Sequence, residues 1–199
     1  MVTGFEQLAR ELIATAHPDD CAPYSFADYH ARGVMYLNLL RAADLTCKLY
    51  LLDGFEPHEW LVAPHNHAYA FHSTVLYGEM RHGLFDVHPK CDGEWRHRFI
   101  VDSRGPTFTP RGESRIALAE QKTLRRGETY YLPADRVHTI GVSRPTVLFL
   151  CQYQRERERT DLYTEAPKAP NLAGLYHPVT PDVYAERLGH VCRLLEGVS

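Results

Sequence analysis

Two short stretches of the chain carry residue types at spacings that could do chemistry. "PHNHAYAFHSTVLYGEM", Pro64 to Met80, places three of the chain's twelve histidines, His65, His67 and His72, close together. In a β-strand the side chains at i and i+2 leave the same face, so His65 and His67 on one strand form adjacent nitrogen donors. Such a pair suits iron, zinc, copper or nickel. Surface His-x-His pairs also occur without a metal, and one pair decides little by itself. The second stretch, "GETYYLPADRVHTIGV", runs from Gly127 through Pro133 to His138. A turn glycine leads into an aromatic strand at Thr129–Leu132. The Pro133–Asp135 corner redirects the chain, and His138 opens the next strand. A third imidazole arriving from a different hairpin is what a facial three-ligand site requires.

Donors of this kind need a stiff frame. "CKLYLLDGF", "STVLYGEM", "GLFDVH", "RHRFIVD", "RIALAEQKTL", "ETYYLP", "HTIGV" and "TVLFLCQYQ" are short, rich in aromatic and β-branched residues, and separated by Gly, Pro, Asp and Ser. Many short strands at close spacing predict a sandwich or barrel. "FEQLARELIATA" sets Phe5, Leu8, Leu12 and Ile13 on one face of an amphipathic helix. "TPDVYAERLGHVCRLLEG" reads as a second helix, with Thr180 as N-cap, Pro181 at N1 and Asp182 in the first turn. Val183, Leu188, Val191 and Leu195 form its apolar stripe, closed by Gly197. The stretch from Pro89 to Gly112 reads as a long hairpin or loop inserted between barrel strands. The expected layout is one domain over 1–199: a helical N-terminal part to about 45, a β-barrel over about 46–160, and a tail with a helix from about 161. There is no internal repeat, no P-loop, and no G-x-G-x-x-G after a strand.

Composition narrows the class. A chain of 199 residues that is 44% hydrophobic can fill one core. A net charge of −3 argues against a nucleic-acid-binding surface. No stretch approaches the roughly 18–20 apolar residues of a membrane span. The first twenty residues lack the basic and apolar regions of a secretory signal. Five scattered cysteines, Cys21, Cys47, Cys91, Cys151 and Cys192, favour free thiols in a reducing compartment. The expectation is a cytoplasmic protein with no nucleic-acid or membrane partner.

Taken together, "HNH…G" and "G-x5-P-x-D-x2-H" resemble the two motifs of the cupins, small double-stranded β-helix barrels. The resemblance implies an all-β jelly-roll core with flanking N- and C-terminal helices, and a metal held inside it by His65, His67 and His138. Asp135 stands where cupins commonly have Gly, and the Asn that usually follows the late His is missing. Many cupins place a Glu four or five residues after the second His. Here those positions are Phe71 and His72, and counting back from Gly78, the motif's closing glycine, gives Phe71. With His72 in the slot the site has four histidines. With Phe71 it has three and an apolar slot. Neither supplies a carboxylate.

Three-histidine iron sites are similar to those of the thiol dioxygenases, and "YLNLLRAADLTCKLYLLDGFEPHEWLVAPHNH" resembles the corresponding upstream stretch of that branch. There the family uses an Arg to hold the substrate carboxylate. The matching position falls near Asn38, with Arg41 one helical turn further on. The family's Ser-His-Tyr relay would lie in "VLFLCQYQ", which offers Tyr153 but has Cys151 and Phe149 at the two earlier positions. The resemblance covers about Tyr36 to Gln154 and extends to relatedness more than to substrate.

Further candidates are Tyr69, Tyr130 and Tyr131, one of whose hydroxyls could donate to a metal-bound oxygen or to substrate, and Arg81, whose guanidinium could hold a carboxylate. Strand aromatics with solvated hydroxyls and a solvated strand-end arginine are their plainer readings. "RERER" at Arg155–Arg159 reads as an alternating, solvated edge strand, and Cys151 as a buried structural thiol. His17, His58, His88, His97, His177 and His190 show no ligand spacing. The leading functional expectation is a mononuclear Fe(II) dioxygenase or oxygenase using O2 on a small polar metabolite, such as a thiol or amino-acid derivative. Mn, Ni, Zn or Cu at the same ligands would suit a redox-neutral isomerase, lyase or decarboxylase, and a non-catalytic ligand-binding barrel is the third class. A homodimer is compatible with any of these.

Overall fold

The computed structural model describes residues 4–53, 60–102 and 107–197. The chain opens with helices α1 (Gly4–Thr15) and α2 (Pro18–Cys21) and a 3-10 turn at Ala22–Tyr24. Eleven strands follow without interruption by helix: β1 (Phe26–Ala27), β2 (Val34–Arg41), β3 (Leu45–Leu52), β4 (Tyr69–Tyr77), β5 (Glu79–Val87), β6 (Glu94–Asp102), β7 (Thr107–Arg125), β8 (Thr129–Leu132), β9 (Val137–Gly141), β10 (Thr146–Arg155) and β11 (Arg159–Thr164). A short strand β12 (His177–Pro178) and helix α3 (Pro181–Glu196) end the described chain.

All the paired strands are antiparallel and form two sheets. One runs β12-β1-β2-β3-β10-β4-β8 and the other β11-β6-β7-β5-β9. His65 bridges to His138 on β9 and to Leu162 on β11, and so ties together the two edges of the five-stranded sheet. This is the jelly-roll barrel of cupin type, with N- and C-terminal helices, that the sequence predicts. Within the Pro89–Gly112 stretch β6 pairs antiparallel with the start of β7, and 103–106 lie outside the described residues; the two strands are members of the five-stranded sheet rather than an insertion between barrel strands.

The seven-stranded sheet is covered on both sides, and its period-two alternation sorts two cores. Leu37, Leu49, Leu51, Phe149 and Cys151 face outward and pack with Ala9 and Ile13 of α1 and Val191 and Leu195 of α3. Leu52, Phe71, Val75, Leu148 and Leu150 face inward and fill the barrel with Met80, Tyr130 and Val142. Gly78 makes the tight β4–β5 turn at φ +78, where a Cβ would run into the Pro145 carbonyl.

Three local expectations need correction. The N-terminal part is not helical to about residue 45, because β1 and β2 already belong to the large sheet. "VMYLNLLR" is buried on both faces, and a continuous apolar run lacks the alternation that marks a strand. In α3 the Thr180 hydroxyl caps the Val183 N–H at 3.4 Å as predicted, but Val183 is exposed. Tyr184 fills that place, fully buried, and its hydroxyl donates to the Asn38 carbonyl at 2.7 Å. "RERER" is the link between β10 and β11 rather than one alternating strand. The Glu156 and Arg157 amides both donate to the Ala68 carbonyl there, which bends the chain. All five cysteines are free, and Cys47 and Cys151 face each other across β3 and β10 with sulfurs 3.7 Å apart.

Candidate metal centre

The His-x-His stretch does not lie on β4, which starts at Tyr69. It precedes that strand as an extended segment laced into the neighbouring sheet. The His65 amide donates to the His138 carbonyl and the His138 amide to the His65 carbonyl, each at 2.9 Å. Between the two histidines, Asn66 is buried and turns the opposite way. Its side-chain amide donates to Asp161 Oδ2 at 3.2 Å, and its side-chain oxygen accepts the Asp161 amide at 2.7 Å. Asp161 is held in turn by Arg98, whose Nε and Nη2 both lie 2.8 Å from Oδ1. The alternation expected of a strand survives because this clamp fixes residue x outward, which leaves His65 and His67 on the inner side.

The ring nitrogens of His65, His67 and His138 then lie within 4.8 Å of one another. His65 Nδ1 is 2.9 Å from the Ala63 carbonyl, which must accept its N–H, so Nε2 keeps a free lone pair. His67 Nε2 and His138 Nε2 are 2.9 Å apart. Two nitrogens about 2.1 Å from one ion and at right angles to each other stand about 3.0 Å apart, so this spacing fits two adjacent coordination positions. Burial lowers the pKa of all three imidazoles, and for His67 and His138 the neighbouring histidines lower it further. Neutral imidazoles present lone pairs rather than protons, the state a divalent metal needs. The three residues therefore form a cluster able to coordinate a divalent ion, and the residues present fit that group.

Sequence reasoning passed over His82. It lies on β5, is 2% exposed, and sets its Nε2 3.0 Å from His138 Nδ1. For His138 to offer Nε2 to a metal, its proton must sit on Nδ1 and be donated to His82 Nε2. His82 then carries its own proton on Nδ1, which has no hydrogen-bond partner. Burial pushes its pKa down to about 4, and Lys122 adds to the shift, so it stays neutral at pH 7. The signal available in the sequence was parity: on β5, Met80, His82 and Leu84 alternate inward. Asp161 and Arg98 gave no such signal, being 95 and 63 residues away from their partners.

The other expected site residues divide by strand parity. Phe71 points inward, its ring 5.0 Å from His67 and 5.9 Å from His138, and so occupies the apolar slot. His72 faces outward, stacked on Phe5 of α1 at 4.7 Å, with Nδ1 2.6 Å from the Tyr153 hydroxyl. It is therefore no fourth ligand in this geometry. Tyr153 shares that outer face and cannot act at the cluster. Tyr131 is 53% exposed beside His72, and its neighbour Tyr130 is the inward residue. Arg41 caps the exposed Tyr24 ring at 4.5 Å, and Arg81 lies 5.4 Å from the centre of the Trp60 ring. Asn38 is buried between the Ser25 hydroxyl and Tyr184. None of these three lines the cavity at the histidines. Tyr69 does, 5.3 Å from His67.

A cavity open at its mouth lies against the three histidines. Eight aliphatic or phenyl residues, four tyrosines, four histidines and one serine line it. Burial pushes the Tyr69 phenol up to about 12 and the Tyr50 phenol well above its ordinary value, so both are neutral donors.

No protein-family model and no curated protein matches the chain. Among solved structures, hydroxypropylphosphonic acid epoxidase from S. wedmorenis matches at TM-score 0.40 and 16% identity, covering 68% of this chain and 56% of its own. A cupin superfamily protein from Desulfitobacterium hafniense matches at 0.36 and 12%, covering 61% and 77%. KdgF from a Halomonas species matches at 0.37 and 15%, covering 62% and 82%. This chain thus spans little more than half the length of the epoxidase. These likenesses are distant, and the fold and the site rest on the strands and histidines described above. No helix among the described residues is long and apolar enough to cross a membrane.

Proposed function

We propose that the protein is a mononuclear metal-dependent oxygenase that holds Fe(II) at His65, His67 and His138 and uses O2 on a small organic molecule. The observation that supports it is the convergence of three neutral imidazoles, with no carboxylate beside them among the described residues, on an aromatic-walled cavity. Bound there, iron(II) would supply a redox-active centre with open positions for two exogenous ligands. The chain's own residues do the rest. The Ala63 carbonyl and His82 fix the tautomers of His65 and His138, and the Asn66–Asp161 clamp keeps the His-x-His rings turned inward. Phe71 and the leucines of β10 keep water from the inner end of the cavity. Tyr69, protonated and beside His67, can donate a hydrogen bond to a bound oxygen of the substrate.

The test is elemental analysis of protein purified without chelator or histidine tag, in parallel with His138→Ala, followed by O2-uptake screening. Near-stoichiometric iron that falls sharply in the variant, with O2 consumed, supports the proposal. Zinc, manganese or nickel without O2 uptake would move the protein to the redox-neutral class. Protein that binds no metal on reconstitution would refute both.

A further inference from the structure

The cavity walls say more about the substrate than the histidines do. Among the described lining residues there is no Asp, Glu, Lys or Arg. Lys48 shares the inward face of β3 with Tyr50 and Leu52 without being a lining residue; its Nζ donates to Gln152 Oε1 at 2.8 Å and lies 4.9 Å from the centre of the Tyr36 ring and 6.0 Å from that of Tyr69. An amino acid placed here would bury an ammonium with no opposite charge among the described lining residues to meet it. The walls suit another shape. Tyr29 sets its ring edge-on to Tyr50, with centroids 6.1 Å apart, and Tyr69, Phe71 and Tyr130 continue the aromatic surface toward the cluster. Rings arranged in this way favour a flat π-system laid among them.

Two polar features fix the ends. At one end the three imidazoles are neutral, so a divalent ion there would keep its full charge and favour an anionic oxygen. At the other, Ser73 follows Phe71 on the same face of β4, about 7 Å further along the strand. Ser73 is 1% exposed and its Oγ has no hydrogen-bond partner, although it lines the cavity. Its register partner Tyr130 also lines the cavity. Burial raises the pKa of the Tyr130 phenol and the nearby Ser73 hydroxyl opposes that shift, so the two hydroxyls are close although they do not meet hydrogen-bond geometry. A buried hydroxyl left open beside a ring-lined space is a contact waiting for a ligand.

We infer that the cavity takes a molecule with a flat aromatic or conjugated body, an ionisable enol or phenol oxygen directed at the three histidines, and a hydrogen-bonding group that meets Ser73. This rests on the reading of His65, His67 and His138 as metal-holding, and it replaces the amino-acid thiol as the substrate class.

Cobalt(II)-reconstituted full-length protein separates the two ideas. Metal content is measured first, and then calorimetric titration compares acetylacetone, benzoylacetone and malonate. The two diketones share one chelating group, so their ratio reports the body alone. Benzoylacetone is expected to bind at least about tenfold tighter than acetylacetone, the return on burying a phenyl ring. Malonate, which carries a second charge into the same space, is expected to bind more weakly than either. Tyr29→Ala should shrink the benzoylacetone advantage toward onefold while leaving cobalt content unchanged. Equal affinity for the two diketones, or tighter binding of malonate, would overturn the inference and leave the metal site standing. Failure to take up cobalt would overturn both.

Discussion

Replacing His82 by alanine should weaken metal binding without touching a ligand. In the metal-binding tautomer His138 donates its Nδ1 proton to His82 Nε2 at 3.0 Å, and both residues are almost fully buried. Removal of the acceptor leaves that N–H buried and unpaired, which costs about 1–3 kcal/mol. The metal-free protein has an escape. His138 can move its proton to Nε2 and donate it to His67 Nε2, only 2.9 Å away, which takes both nitrogens out of service. The affinity should therefore fall by about 5- to 150-fold, bracketing the 10–100-fold usual for loss of a partner behind a ligating histidine. The assay is competition for zinc against a chromophoric chelator, for wild type, His82→Ala and His82→Gln. Gln places a carbonyl oxygen near the vacated Nε2 and should restore most of the loss. Long-range ¹H–¹⁵N spectra of the metal-free proteins should show His138 protonated on Nδ1 in wild type and on Nε2 in the alanine variant. Equal zinc affinity in all three folded proteins would refute the reasoning, as would a glutamine variant no better than alanine with its tautomer unchanged.

Other perturbations follow from the same contacts. Asp161→Ala strips Asn66 and Arg98 of a buried partner and should cost about 1–3 kcal/mol in denaturant unfolding, less than a fully buried ion pair because the Arg98 side chain is 38% exposed, together with a lower metal content; a loss within about 0.5 kcal/mol would mean that the clamp is dispensable. His72→Ala should leave metal stoichiometry at the wild-type value by elemental analysis, because the ring lies on the outer face with Phe5 and Tyr153. A fall would restore it as a ligand. Lys48 is 8% exposed, and burial, aided by Arg41, lowers its pKa from 10.5 to about 8. The unfolded chain then binds more protons than the folded one between those values, so wild-type stability should rise from pH 8 to 10 by up to about 1.4 kcal/mol per unit. Above pH 10 the raised tyrosines oppose it. Lys48→Met should lack the rise and be the more stable protein at pH 7, and parallel stability curves would contradict this.

The sequence made legible those features that depend on short spacing. His65, His67 and His138 could be read because a donor pair two residues apart and a Gly-Pro-His turn are local patterns, and the barrel could be read because its strands are separated by turn residues. What stayed hidden depends on parity and on distant partners. One residue of register separates Phe71 from His72 and Tyr130 from Tyr131, and a shift of one moves a side chain through the sheet to its other face. Counting from the second histidine could not settle that register, because the His-x-His segment is not part of β4 and the phase of the strand is reset at Tyr69. Pairing of β4 with β8 and β10 sets it, through partners from 55 (Thr74 and Thr129) to 86 (Tyr69 and Arg155) residues away. The strand Val34–Arg41 was obscured for the opposite reason: helices cover the outer face of its sheet, so both faces are apolar and alternation vanishes. The substrate contacts drawn from resemblance failed on the same ground. Arg41 lies at the exposed end of a strand and not on a helix, and parity turns Arg81 toward Trp60 while placing His82 inside. In a barrel of this kind spacing finds the metal ligands, whereas the residues that tune them and shape the substrate's space are chosen by which face of each strand looks inward.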